Sequence, residues 1–195
     1  MVPVNIPTAL REEWQKMLDG EMYDAANPAF SELLMQTRRK LHDFNMMEPD
    51  QLDRMKALLR EVFGSIGEPF HVNPPFRCDY GCNIHIGTHF FANFNLTILD
   101  EAEVNIGDHV FIGPNVSIYT ACHPLDVETR NTGSEWAEPV TVGDNVWIGG
   151  NVVILPGVEI GANSVIGAGS VLTHSIPTSV VAAGNPAKVI KHIKQ

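Results

Sequence analysis

The sequence predicts a mainly β fold: a parallel β-helix of hexapeptide repeats with an N-terminal helical cap and one loop excursion. Three observations carry that expectation. From Val142 to Leu172 an aliphatic residue returns at every sixth position, as Val142, Ile148, Ile154, Ile160, Ile166 and Leu172. Val146, Val152, Val158, Ser164 and Ser170, four places after each, are small or β-branched. A helix repeats every 3.6 residues and a free amphipathic strand every two, so a period of six fits neither. It marks a solenoid whose short strands stack coil on coil. Second, residues 8 to 64 carry apolar side chains at helical spacing. Third, the repeat breaks from His123 to Pro139 and resumes at Val140.

The cap, residues 1 to 66, is expected to hold two or three helices. Thr8 is a candidate cap for ALREEWQKML, which ends near Gly20. Asn27 and Pro28 supply a second cap and a first-turn proline. Phe30, Leu33, Leu34, Thr37, Leu41 and Phe44 then recur on one helical face. Pro49 opens a third helix with Leu52, Met55, Leu58, Leu59 and Val62 on one side, and Gly64 stops it. The end of a solenoid exposes an apolar rung, so a lid has a physical reason to be there. Such a lid can also wall a substrate site.

Residues 67 to 195 are expected to form the solenoid and its C-terminal tail. Ile86, Ala92, Ile98 and Val104 keep the period, with Phe90, Leu96 and Ala102 at the inner positions. The phase then slips by two residues. Ile106, Ile112 and Ile118 open a new frame, in which Val110, Val116 and Cys122 point inward. Three hexads close a triangular coil, and coils stack about 4.8 Å apart. Gly143, Gly149, Gly161 and Gly167 are expected to help the chain round the corners. The excursion at about 123–139 must leave the prism, and such insertions usually sit on the working face.

Composition narrows the function. The chain has 195 residues, 44% of them hydrophobic, enough for one large core. A formal net charge of −10 argues against nucleic acid as a partner. No apolar run approaches the length of a membrane span. Met1 to Leu10 lack the basic and apolar regions of a secretory signal. Three cysteines form no framework, which suggests a reducing, cytoplasmic compartment. Cys78 and Cys82 have the spacing of half a zinc site, but no matching second pair exists, so they read as structural thiols and no metal is expected.

His123 stands where the coil departs into the excursion. A histidine there is either a structural turn residue or a base, since its unperturbed pKa near 6.5 suits proton transfer at neutral pH. Cys122 beside it is a second candidate for chemistry, against burial at an inward position. Around them, in order, come FRCDYG (Phe76 to Gly81), FFANFN (Phe90 to Asn95), TACHPLD (Thr120 to Asp126), ETRN (Glu128 to Asn131), NVWIGG (Asn145 to Gly150) and VVAAGNPAKVIK (Val180 to Lys191).

In these motifs the chain closely resembles the maltose and galactoside O-acetyltransferases, from GEMYD (Gly20 to Asp24) to its C-terminus. The resemblance implies a left-handed parallel β-helix, assembled as a homotrimer with sites between subunits. It implies acetyl-CoA as donor, a sugar hydroxyl as acceptor, and direct transfer with His123 as general base. It matches Asp79, Asn93 and Glu101 to acceptor-binding positions. Trp147, Gly150, Ala168, Thr173, His174, Lys188 and Lys191 match positions near the coenzyme, the lysines suiting its phosphates. Other readings stay open: a non-sugar or lipo-oligosaccharide acceptor, or a non-catalytic trimeric binding protein. A zinc hydratase of the γ-carbonic-anhydrase type would need converging histidines. His85 and His89, four apart, do not stack at a period of six.

Overall fold

The computed structural model describes residues 6–194. Residues 1–5, on which the reading of an absent secretory signal partly rests, lie outside the described residues. The helical part comprises α1 (Arg11–Leu18), α2 (Pro28–Asn45) and α3 (Leu52–Val62). Asn27 accepts from the Ala29 N–H at 3.0 Å, with Pro28 at the first turn, as the sequence led one to expect. Two details differ. Thr8 makes no side-chain cap; it opens a short 3-10 turn, Thr8–Leu10, that leads into α1. The third helix starts at Leu52 rather than Pro49, and Leu52 is exposed.

From Ser65 onward the chain winds as a parallel solenoid with three flat faces. The first face stacks Ser65–Ile66, Ile84–Ile86, Val104–Ile106, Val140–Val142 and Glu159–Ile160. The second stacks Phe70–Val72, Phe90–Ala92, Phe111–Ile112, Trp147–Ile148, Val165–Ile166 and Val180–Gly184, with Ala187–His192 returning antiparallel on its end. The third stacks Phe76–Cys78, Leu96–Leu99, Ser117–Tyr119, Val153–Ile154 and Val171–Leu172. Every inward hexad position from Val142 to Leu172 is buried. Each such aliphatic contributes roughly 1.5–3 kcal/mol against exposure, and only the stack supplies the neighbours that bury it.

The corners are turned mainly by asparagine. Asn95, Asn115, Asn145, Asn151 and Asn163 all adopt positive φ, a conformation asparagine tolerates better than most residues. Their amides form ladders from coil to coil: Asn95 to Asn115 at 2.9 Å, Asn115 to Asn151 at 3.1 Å, and Asn145 to Asn163 at 3.2 Å. The glycines after the aliphatics serve a different purpose from the one expected. A Cβ on Gly149 would stand 2.7 Å from the backbone nitrogen of Ala168 on the next coil. Glycine is needed there because the stacked backbone comes too close for a side chain.

The phase slip now has a location. Equivalent positions lie 20 residues apart between early coils, 36 apart across the excursion and 18 apart later. An 18-residue coil is three hexads. The surplus residues all leave the prism at one corner, between the third face and the first. Asp79 to Cys82, Asp100 and Glu101, and the excursion after Thr120 are therefore stacked on one another.

Candidate active site

The excursion is a folded unit. Ala121–Cys122 pairs antiparallel with Ser134–Ala137, and the short helix α4 (Val127–Asn131) spans the gap. Asp126 caps α4 by accepting from the Thr129 N–H at 2.7 Å. The outer edge of this hairpin pairs with Tyr23–Asp24 from the cap, so three strands buttress the corner from outside the prism.

His123 follows the inner hairpin strand directly. Its side chain is 61% exposed, free to meet a substrate. Its Nδ1 lies 3.5 Å from Oε2 of Glu135, whose side chain is only 15% exposed. The other carboxylate oxygen of Glu135 accepts from the phenol of Tyr23. A carboxylate behind one imidazole nitrogen leaves the other to face outward, the arrangement of an oriented general base.

Acidic groups crowd the same corner. Asp100 is fully buried; its Oδ1 accepts from the N–H groups of Asp79 at 3.0 Å and Tyr80 at 2.9 Å. Its Oδ2 is buried and has no partner among the described residues. Burial pushes the Asp100 carboxyl up to about 7, with the charge of Asp79 adding to the rise and the backbone N–H groups opposing it. Glu101 is held well above the usual carboxylate range, first by burial and then by the charge of Asp79 and a hydrogen bond with it. Thr120 donates to the Leu99 carbonyl at 2.8 Å and lies 3.3 Å from Glu101. Arg38 of α2 reaches Asp79 at 3.9 Å. Asp79 and Glu101 thus sit together as a carboxyl pair at this corner, suited to gripping hydroxyls.

Cys122 departs from its expected place. The chain leaves the prism after Thr120, which is buried, and Cys122 is half-buried in the hairpin. Burial, then Glu138 and Glu135, pushes its thiol up to about 11, so it remains a thiol at neutral pH.

The other predicted residues fall into a second group. Asn93, Trp147, Gly150 and Ala168 line a groove of about 730 Å³ on the second face, at the corner leading to the third. Asn93 receives the Phe94 N–H at 2.8 Å. Trp147 is 59% exposed and stacks in register with Phe111, itself 51% exposed. Lys188 and Lys191 lie on the terminal strand Ala187–His192, whose register partners are Ala183 and Val181. They belong to a hairpin on the end of the second face. Thr173 and His174 are joined at 2.8 Å and lie on the His123 corner, further along the stack. Within one chain, then, Asp79, Glu101 and His123 come together. Asn93, Trp147, Gly150 and Ala168 come together elsewhere, with the width of the third face between the two groups. A separate cavity, about 110 Å³ under the cap beside Trp14 and Thr37, borders the first corner through Tyr80 and Cys82 but is lined by none of these seven residues.

Sequence reasoning missed Glu135, Tyr23 and the structural role of Asp100. The phase slip was a usable signal for Asp100, because two surplus residues per coil must stack at a corner. Glu135 and Tyr23 gave no signal, since their pairing spans 112 residues.

Comparison with known proteins fits this geometry. Residues 16–67 match the maltose acetyltransferase hexapeptide capping motif, and residues 139–174 match the bacterial transferase hexapeptide of six repeats. The galactoside O-acetyltransferase of Escherichia coli K12 is 44% identical, over 92% of this chain and 88% of that protein. The crystal structure of a maltose O-acetyltransferase from Clostridium difficile 630 superposes with a TM-score of 0.92 at 47% identity, covering 94% of this chain and 98% of that one. A hexapeptide-repeat acetyltransferase of Vibrio cholerae, solved with acetyl coenzyme A, gives a TM-score of 0.86 at 42% identity, covering 94% and 99%. The chain belongs to the maltose and galactoside O-acetyltransferase family of hexapeptide-repeat acyltransferases.

Proposed function

We propose that this protein moves an acetyl group from acetyl-CoA directly to a hydroxyl of a sugar, with His123 as general base. The observation that carries the reading is the His123–Glu135 pair, exposed on one side and backed by a carboxylate on the other, at the corner that holds Asp79 and Glu101. The outward nitrogen of His123 takes the hydroxyl proton as the oxygen attacks the thioester carbonyl. The tetrahedral adduct collapses, the C–S bond breaks, and the coenzyme thiolate recovers the proton from the imidazolium. Glu135 offsets the imidazolium charge while it exists. Direct transfer is favoured because Cys122, the neighbouring thiol, is held protonated.

The donor reading rests on the groove beside Gly150 and Ala168, where small residues leave room for a pantetheine arm. Lys188 and Lys191 stand at the end of the same face and supply positive charge for phosphates. The division of the site supports assembly as a homotrimer. Base and donor groove occupy different corners of one chain, and the exposed ladder of Phe111 and Trp147 offers an apolar surface for a neighbour. A second copy then brings its groove to the first copy's His123. The three unpaired cysteines favour a reducing, cytoplasmic setting.

The test is a thiol-release assay with acetyl-CoA and a panel of sugars. The protein releases coenzyme A only with a hydroxyl acceptor present. His123→Ala loses about 10²–10⁴-fold in kcat while binding acetyl-CoA unchanged. Retention of more than about a tenth of kcat, against that expected loss, rejects His123 as the base. Sedimentation equilibrium giving the monomer mass rejects the shared site.

A further inference from the structure

Tyr23 belongs to the cap, yet its phenol is spent on the catalytic corner. The ring is buried and packs on Phe30 at 5.4 Å between centroids. It is part of a separate apolar cluster with Ile6, Leu10, Trp14, Met17 and Leu33, distinct from the prism core. Tyr23 and Glu135 are direct register partners across the antiparallel pair, so the backbone as well as the side chains sets their approach. The phenol donates to one oxygen of Glu135, and the other oxygen faces Nδ1 of His123.

We propose that Tyr23 is a positioning residue for the transfer reaction: through its bond to Glu135 it holds that carboxylate against Nδ1 of His123. This fixes the imidazole tautomer with the proton on Nδ1. The inference rests on the reading of His123 as base, and it gives the cap a role beyond covering the first coil.

The physical argument has three parts. A glutamate on a hairpin edge has three rotatable bonds and would otherwise turn toward water. A donor locked in a packed cluster removes that freedom for one oxygen and so directs the other. The Tyr23 hydroxyl is a dependable donor, because burial and then Glu135 hold its pKa well above the ordinary tyrosine value. Among the described residues, Glu135 is the carboxylate that comes within 4.0 Å of Nδ1. Glu138 bonds Trp136 at 3.2 Å, Glu101 meets Thr120, and Tyr80 is turned into the cap against Trp14.

The experiment uses the full chain and three variants: Tyr23→Phe, Glu135→Gln and the double substitution. Tyr23→Phe keeps the ring and its packing. The first readout is the nitrogen NMR spectrum of the His123 side chain, which reports which ring nitrogen carries the proton and needs no activity. The wild type shows the Nδ1–H form; Tyr23→Phe and Glu135→Gln both move the population toward Nε2–H. The second readout is kinetic. Tyr23→Phe lowers kcat about tenfold, the scale of one hydrogen bond to a charged group, with KM for both substrates within about twofold. The double variant is no slower than Glu135→Gln alone, because both act through one chain of contacts.

An unchanged tautomer in Tyr23→Phe, or losses that multiply in the double variant, would overturn the proposal and leave Tyr23 as a packing residue. If His123→Ala keeps its turnover, the base reading fails instead, and the NMR result still decides whether Tyr23 sets the imidazole. Should Tyr23→Phe fail to fold, the Glu135→Gln spectrum decides: an unmoved tautomer there also overturns the proposal.

Discussion

Residues 140–172 and the corner around His123 are made from the same chain by opposite rules. In the first, every inward position returns on schedule, equivalent residues lie 18 apart, and the ladder of Asn145 and Asn163 continues unbroken. In the second, each coil carries surplus residues, spacing grows to 20 and then 36, and carboxyl groups are buried at a cost. The comparison teaches a division of labour. Periodicity supplies stability, because a rung that matches its neighbours buries its apolar side chains. Interruption frees side chains for chemistry, because a residue that leaves the prism need not fill it. The surplus falls at one corner in three successive coils, which is how residues far apart in sequence come to share a site.

The comparison can be broken most severely in the regular region. Ile154 is fully buried in the middle of the stack. Ile154→Asp puts a carboxylate there without a partner and is expected to cost several kcal/mol or abolish folding. Thermal or denaturant unfolding measures it, and an unchanged midpoint would show that the hexad register is wrong.

A smaller loss tests the corners. Asn115 adopts φ of 57° and bonds both Asn95 and Asn151. Asn115→Ala is expected to cost about 2–3 kcal/mol, combining left-handed strain with two lost hydrogen bonds. Asn115→Gly removes only the bonds and should cost about 1 kcal/mol less. Equal losses would mean that backbone strain plays no part in the turn.

The irregular corner predicts a pH dependence of opposite sense to the usual one. The Asp100 carboxyl is raised in the folded state, to about 7 from 3.8. The folded protein therefore binds more protons than the unfolded chain between these values. Its contribution to stability is complete below about 4 and declines as pH rises toward 7. Asp100→Asn keeps an oxygen for the Asp79 and Tyr80 N–H groups and removes the charge. It should raise the melting temperature relative to wild type at pH 8, with the difference shrinking toward pH 4. A difference that grows at low pH would contradict the assigned direction.

The smallest expected effect is on the second face. Lys188→Ala with Lys191→Ala should weaken acetyl-CoA binding by about two- to tenfold at low salt, the range of exposed ion pairs. The effect should fade at high salt as screening shortens to a few ångströms. Titration calorimetry at two ionic strengths measures it; equal affinity at low salt would remove both lysines from the donor site.

Much of this division was legible in the sequence. The hexad frame of 142–172 predicted burial residue by residue, and Asn27 with Pro28 marked the start of α2. His123 could be singled out because it stands where the period stops. What could not be read was contact across distance. Cys122 fits the inward pattern by counting, but the chain has already left the prism at Thr120, a step that depends on hairpin pairing with Trp136 and Ala137. Glu135 looks like one acid among many on a loop. Only its strand partner, Tyr23, contributed from the far end of the chain, gives it a place. The glycines were placed correctly but for the wrong reason, since close stacking between coils is invisible in any single repeat.

The division of labour is tested most directly by measuring turnover per folded molecule and melting temperature together, on His123→Ala and Ile154→Val prepared side by side. Ile154→Val should lower stability by about 0.5–1.5 kcal/mol, a drop of a few degrees for a chain of this size, with turnover unchanged. His123→Ala should lose nearly all turnover and melt with the wild type. A His123→Ala protein that melts early while its folded fraction still transfers acetyl groups would make the corner structural, and would contradict the account.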